Sequence, residues 1–251
     1  MQRVTASGPG PRLALVSDLH GNELALEAVL ADAARAGYDA LVCLGDVATL
    51  GPRPREVLAR LADLRCPTVM GNHDEFMVDP ALVRAYSDSP VLVASVEATR
   101  EALSTADLAR VARFERTISL DGVLLFHGTP RSNTEDLLVT TPAERVDEML
   151  EGHAARVYVG GHTHLQMVRQ HRGALVVNTG SLGMPFREHA AGGPPNILPF
   201  AEYAIVQLRG EDVSVDLRRV ALDPRRLVAQ VDGWDNPLAP SLRASYARHA
   251  P

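Results

Sequence analysis

Only two cysteines, Cys43 and Cys66, occur in the 251 residues. Cys43 lies inside the apolar run Ala40-Leu41-Val42-Cys43-Leu44, and Cys66 precedes Pro67 at the start of another. Both read as small core residues rather than a disulfide, which makes a reducing compartment the simpler inference. Long apolar runs are also missing: no uninterrupted stretch approaches the roughly 20 residues that a membrane-spanning helix needs. The first 11 residues, rich in Gly, Pro and Ser, lack the apolar centre of a signal peptide. The expectation is a cytoplasmic protein with a flexible leader over residues 1–11 and no membrane partner. An excess of positive charge is lacking as well. With 25 basic against 31 acidic residues the formal net charge is −6, which argues against a broad nucleic-acid surface but leaves room for a small basic pocket. No repeat or low-complexity region stands out.

What is present is a soluble-protein composition, 46% hydrophobic and 22% charged, in a chain long enough to bury a substantial core as one α/β domain. A β-rich run at 13–17 is followed by an Ala/Leu-rich stretch at 23–36 with apolar residues at helical spacing (Leu26, Val29, Leu30, Ala33). Asn22 is placed to cap its start and Gly37 to stop it. A strand at 41–44, a helix at 54–64 and a strand at 68–70 continue the alternation, which predicts strands joined by helical crossovers. Residues 79–114 break the rhythm with helix-forming residues and turn signals at Asp88-Ser89-Pro90 and Ser104-Thr105, and read as a helical insertion. Strands resume at 118–120 and 123–126 around Asp121-Gly122, a strong hairpin signal. Then come a helix at 142–151, strands at 156–159 and 174–178, and a second hairpin of 203–209 and 213–219. One core domain over 12–222 is expected, followed by a C-terminal extension at 223–251 holding one short helix and a Pro-rich tail. The pattern is a two-sheet α/β sandwich with helices outside.

The chemistry sits at the strand ends. Six apolar runs are followed at once by Asp18-Leu19-His20, Gly45-Asp46, Gly71-Asn72-His73-Asp74, His127-Gly128, Gly160-Gly161-His162-Thr163-His164 and Asn178-Thr179-Gly180-Ser181. Strand ends on one sheet edge converge in space, so residues far apart in sequence can meet. Carboxylate, imidazole and amide oxygen together suit divalent cations. Asp18 and His20, two apart on extended backbone, point the same way. Asp46 has two oxygens with which to bridge two cations roughly 3.5–4 Å apart. A lone Asp-x-His or a Gly-Asp pair is usually a surface residue or a turn. Here five of the nine histidines fall in such junctions, and coincidence is a poor explanation. His153, His171 and His249 read as structural, while His189 follows the last motif and stays open.

The ordered set Asp18-x-His20, Gly45-Asp46, Gly71-Asn72-His73-Asp74, His127 and Gly161-His162-Thr163-His164 resembles the calcineurin-like metallophosphoesterase superfamily. The details Asp18-Leu19-His20-Gly21-Asn22, His127-Gly128-Thr129-Pro130-Arg131 and Asn178-Thr179-Gly180-Ser181-Leu182-Gly183 look like its compact bacterial and archaeal phosphodiesterase-type branch. The resemblance implies a four-layer α/β/β/α sandwich of two mixed sheets flanked by helices. It implies two divalent ions, Mn²⁺ first among Fe, Co, Ni and Zn. One takes Asp18, His20, Asp46 and His164; the other takes Asp46, Asn72, His127 and His162. In such a centre a bridging hydroxide attacks phosphorus in line. His73 stands near the leaving-group oxygen, with Asp74 either orienting it or capping the next helix.

Protein phosphatases of this superfamily and diadenosine tetraphosphatases carry Gly-Asp-x-x-Asp-Arg-Gly at the second motif. Here that stretch is Gly45-Asp46-Val47-Ala48-Thr49-Leu50-Gly51, without the Asp-Arg pair. Any phosphate-gripping arginine must come from elsewhere, and Arg53, Arg131 and Arg187 are candidates, with Asn72 as a further substrate contact. The resulting expectation is a phosphoesterase for small phosphodiesters, nucleotides among them, with phosphomonoesters also accepted. The alternatives are a dinucleoside polyphosphate hydrolase and a non-catalytic metal-binding scaffold.

Overall fold

The computed structural model describes residues 10–190 and 194–250. The expected leader therefore falls almost wholly outside the described residues. Two sheets form the centre. The first contains β1 (Arg12–Val16), β2 (Ala40–Cys43), β8 (Phe200–Arg209) and β9 (Asp212–Ala221), in the order β2-β1-β8-β9. The second contains β3 (Ile118–Leu120), β4 (Val123–Leu125), β5 (Val157–Gly160), β6 (Met167–His171) and β7 (Ala174–Asn178), in the order β3-β4-β5-β7-β6. Both are mixed. β1 pairs parallel with β2 and antiparallel with β8, while β5 is parallel to β4 and β7.

Period-2 alternation divides each strand between two cores. Leu13 and Leu15 of β1, Val123 and Leu125 of β4, and Val157 and Val159 of β5 face one another between the sheets. Their alternates Ala14 and Val16 turn to the helices on the outer side of the first sheet. Leu124 and Tyr158 turn to Val146 and Met149 of α7 (Ala143–Met149) on the outer side of the second. The four layers, helix, sheet, sheet, helix, follow from that alternation.

The helix over the first sheet is α1 (Glu23–Ala36), at its expected bounds. Asn22 accepts from the Ala25 amide as its cap, and the Gly37 amide returns to Ala33 O. The second helix, α2 (Pro54–Asp63), starts on its proline. Residues 72–111 form α3 (Asn72–Val78), α4 (Ala81–Tyr86), α5 (Pro90–Ala102) and α6 (Thr105–Val111); Ser89 and Ser104, both in the turn signals, cap the last two.

Three elements differ from expectation. The expected strand at 68–70 is reduced to bridges from Thr68 to Cys43 and from Val69 to Glu115. β6 was not expected. The tail holds two helices, α8 (Pro224–Val231) and α9 (Ala239–Ala247), and Leu242 and Tyr246 of α9 are buried in the helix-side core. Both cysteines are free thiols. Among the described residues no helix is long and apolar enough to cross a membrane.

Candidate metal centre

Every ligand-bearing junction but that of Asn72 leaves the end of a strand, all at the same rim of the sandwich. Asp18 and His20 follow β1, and Asp46 follows β2; Asn72 opens α3; His127 follows β4; His162 and His164 follow β5. The chain makes these turns in an unusual way. Asp18, His20, Asp46, His162 and His164 all have left-handed backbone, with φ between 46° and 67°. That region costs most L-residues energy, and Asp, Asn and His are the side chains that tolerate it best. Backbone strain of this kind persists where the surroundings enforce it, commonly at functional sites. Close approach is enforced too. A Cβ on Gly45, itself at φ 103°, would lie 2.5 Å from the Gly71 amide nitrogen, and one on Gly161 would lie 2.6 Å from Asp18 Oδ2.

These turns bring the seven side chains together. His164 Nε2 is 3.2 Å from Asp18 Oδ1 and 3.1 Å from His20 Nε2. Asp46 Oδ2 lies between two imidazoles, 3.9 Å from His20 Nε2 and 3.4 Å from His127 Nε2. Asn72 Oδ1 is 3.1 Å from both His127 Nε2 and His162 Nδ1. All seven are buried or nearly so.

The outward nitrogens of three imidazoles are already committed. His127 Nδ1 donates to Leu44 O at 2.7 Å, and His164 Nδ1 donates to Met184 O at 2.6 Å. His162 Nε2 faces Asp136 Oδ1 at 3.3 Å. The inward nitrogens therefore offer lone pairs, and they face an amide oxygen and carboxylates, which are also lone-pair donors. Donors turned on one another at about 3 Å require an electron-pair acceptor among them. A proton or a divalent cation serves, and a mixed carboxylate, imidazole and amide set fits the latter. Two groups are compact enough to share an ion: Asp18, His20 and His164, and Asp18, Asp46 and His127.

The titration behaviour has the same origin. Burial opposes charge on His127, yet Asp46 and Asp18 push its pKa up to about 10. His164 is likewise raised, against burial, by Asp18. Burial would raise Asp18 and Asp46, but the imidazoles hold both carboxyls below their ordinary range. His20 is pushed down to about 3 by burial and by His164.

His73, one residue beyond Asn72, is buried, and its ring meets the His20 ring edge-on at 5.3 Å. Its amide donates to Asp46 Oδ1 at 2.9 Å, while its Nδ1 has no partner among the described residues. Burial lowers its pKa to about 4. Phe76 lies 5.0 Å from its ring and the half-exposed Tyr86 6.3 Å.

Of the two roles expected for Asp74, orienting His73 or capping the helix it opens, the structure shows the cap. The Asp74 carboxylate is spent on three backbone amides, taking Asp46 N at 2.7 Å, Val47 N at 2.9 Å and Gly71 N at 3.0 Å. It ties the second junction to the third. Burial and the Asp46 charge raise it to about 7, against the pull of those amides.

The arginine candidates have no hydrogen bond or ion pair to the cluster and pair with glutamates instead. Arg131 is engaged by both Glu135 oxygens, at 2.9 and 2.6 Å, and by Glu148 O at 3.1 Å. Arg53 pairs with Glu56 at 3.6 Å, and the outward Arg187 lies 3.9 Å from Glu188. His171 pairs with Asp147 at 2.7 Å and His249 meets Ile197 O at 2.9 Å, both away from the cluster. Asp136 is the site residue with no sequence signal, since it sits in a polar loop outside every motif.

The comparisons with known proteins agree with this geometry. A family model described as the calcineurin-like phosphoesterase superfamily domain matches residues 12–194. A metallophosphoesterase from Sphaerobacter thermophilus superposes with a TM-score of 0.74 at 25% identity, over 94% of this chain and 98% of that one. A hypothetical protein from Pyrococcus horikoshii OT3 superposes with a TM-score of 0.73 at 19% identity, over 92% and 97% of the two chains. An uncharacterized protein of Methanocaldococcus jannaschii is 25% identical over 228 residues, 87% of this chain and 91% of that protein.

Proposed function

Because the chain belongs to the calcineurin-like phosphoesterase superfamily, we propose that it is a dinuclear metal-dependent phosphoesterase acting on small phosphodiesters, nucleotides among them, with phosphomonoesters also accepted. One observation carries this reading. Asp46 Oδ2 stands between the His20 and His127 imidazoles at 3.9 and 3.4 Å, within reach of donors assigned to both ions, and Asp18 Oδ1 lies 3.2 and 4.0 Å from His164 and His127. Asp18, His20 and His164 complete the first group; Asn72, His127 and His162 complete the second. Mn²⁺ is our first choice of ion, with Fe, Co, Ni or Zn able to occupy the same donors. Bound there, two cations would lower the pKa of water and neutralise charge on phosphoryl oxygens.

The chain's own residues supply the rest. The buried floor keeps competing water from the ligands and strengthens every electrostatic contact made there. His73 is placed beside the first group with a free ring nitrogen. With its pKa near 4 it is neutral at physiological pH, so it serves the leaving-group oxygen as a neutral N–H donor rather than as an imidazolium. Phe76 and Tyr86 back the ring and keep it aimed. The three arginines make no contact with the cluster, which favours small esters over dinucleoside polyphosphates, whose length calls for an Arg-lined groove.

The test is hydrolysis of bis-p-nitrophenyl phosphate and p-nitrophenyl phosphate after chelation and after Mn²⁺ is restored. We expect Mn²⁺-dependent release from both, faster from the diester. Asp46→Ala should abolish turnover and bind neither ion by elemental analysis. A loaded parent inert toward both esters would refute the enzyme reading, and full metal retention by Asp46→Ala would refute the shared ligand.

A further inference from the structure

Three imidazoles of the cluster have their outward nitrogens engaged, and the three partners differ in kind. Leu44 O and Met184 O are backbone carbonyls, held by the strands and turns that carry them. The partner of His162 is a side chain, Asp136, with Oδ1 at 3.3 Å from Nε2. His162 is also the ligand whose inward atom is Nδ1, 3.1 Å from Asn72 Oδ1, whereas His127 and His164 present Nε2. The intrinsic preference of a neutral imidazole for one tautomer is small, and the hydrogen bond at the far nitrogen decides which is present. Asp136 is itself held. Its second oxygen, Oδ2, is 3.0 Å from Nε2 of His189, the histidine that the sequence left without an assignment. The three residues come from separate loops, and the Asp136 side chain is 45% exposed, so a rim carboxylate reaches in to a ligand that is 6% exposed.

We propose that Asp136 is a positioning residue, braced by His189, that keeps His162 in its Nε2–H form and presents Nδ1 to the second cation. The assignment rests on the metal-centre reading above, and its test does not depend on turnover. Removing an outer-shell carboxylate of this kind typically weakens metal binding 10- to 100-fold. The backbone-held ligands His127 and His164 have no equivalent weak point.

The experiment is calorimetric titration of Mn²⁺ into the chelator-treated full chain and its variants. Asp136→Ala should weaken one of the two binding events 10- to 100-fold and leave the other within twofold of the parent. Asp136→Asn, which keeps an acceptor at the same place, should recover part of the loss, and His189→Ala should show a smaller loss at the same event. Long-range ¹H–¹⁵N spectra of the metal-free protein should show His162 as the Nε2–H tautomer in the parent and as a mixture in Asp136→Ala. Two Mn²⁺ affinities unchanged in Asp136→Ala, or equal tautomer ratios in parent and variant, would overturn the assignment while leaving the enzyme reading intact. A parent that binds two Mn²⁺, loses one on Asp136→Ala and hydrolyses no phosphoester supports the assignment and removes the enzyme reading instead.

Discussion

At the scale of single residues the centre separates ligands from the groups that serve them. His73 touches none of the ligand atoms through its ring and is fixed by its amide on Asp46 Oδ1. His73→Ala should therefore keep the parent's metal content and lower kcat by roughly 10²–10⁴-fold, the range of a lost proton-handling group; kcat within threefold of the parent would remove it from the mechanism. The seven side chains that the fold brings together were legible in the sequence because carboxylate, amide and imidazole side chains recur directly after apolar runs. Asp136 was not, because nothing local distinguishes a loop aspartate that reaches an imidazole 26 positions away in the chain. Arg53, Arg131 and Arg187 show the converse. Their place after motifs was readable, and so, within four residues of each, were the glutamates Glu56, Glu135 and Glu188 that they pair with. The left-handed backbone at five ligand positions had no signature either, since it is imposed by the turns and merely tolerated by Asp and His.

At the scale of elements, α1 is pinned to the first sheet by a polar knot as well as by its apolar face. Asp32 Oδ2 accepts from Tyr203 Oη of β8 at 2.7 Å and from Arg218 Nε of β9 at 2.9 Å. The hydrogen bond from Arg218 is the main reason that Asp32 titrates below its ordinary value of 3.8. A depressed folded pKa means that the tie is fully present above about pH 4 and is lost as the pH falls through the folded value. Asp32→Ala should thus cost about 1–3 kcal/mol at pH 7, and the gap between variant and parent in urea unfolding should close as the pH falls through the depressed Asp32 value. A gap that persists below it would show that packing, not charge, is lost. Periodicity identified α1 to its bounds because its apolar residues recur at helical spacing over four turns. It missed β6, an edge strand in which only Met167 and His171 are buried, so the two-residue alternation is too weak to read. It also missed α9, whose prolines suggested a tail although Pro240 occupies its first turn, where a missing amide costs nothing.

At the scale of the whole molecule, the clustered side chains come from both sheets. Asp18, His20 and Asp46 follow strands of the first, and His127, His162 and His164 follow strands of the second. An ion bound among them would join the two halves of the sandwich and stabilise the folded chain alone. At Mn²⁺ concentrations 100-fold above Kd, each site should contribute about 2.7 kcal/mol, which raises Tm by roughly 5–10 °C for a chain of this size. Differential scanning calorimetry with Mn²⁺ against EDTA measures this, and equal Tm values would mean that the cluster does not hold metal. The layered architecture was readable from the alternation of patterns, but the strand order was not. β1 lies between β2, its neighbour in sequence, and β8, which begins at Phe200. That placement has a consequence for biosynthesis. The second sheet is drawn from one continuous stretch, Ile118 to Asn178, and can assemble while translation continues. The first joins β1 and β2 to strands far later in the sequence. A ribosome-bound chain that has not yet released β8 and β9 lacks the antiparallel neighbour of β1, so the turns carrying Asp18 and Asp46 should settle only after Ala221 has emerged.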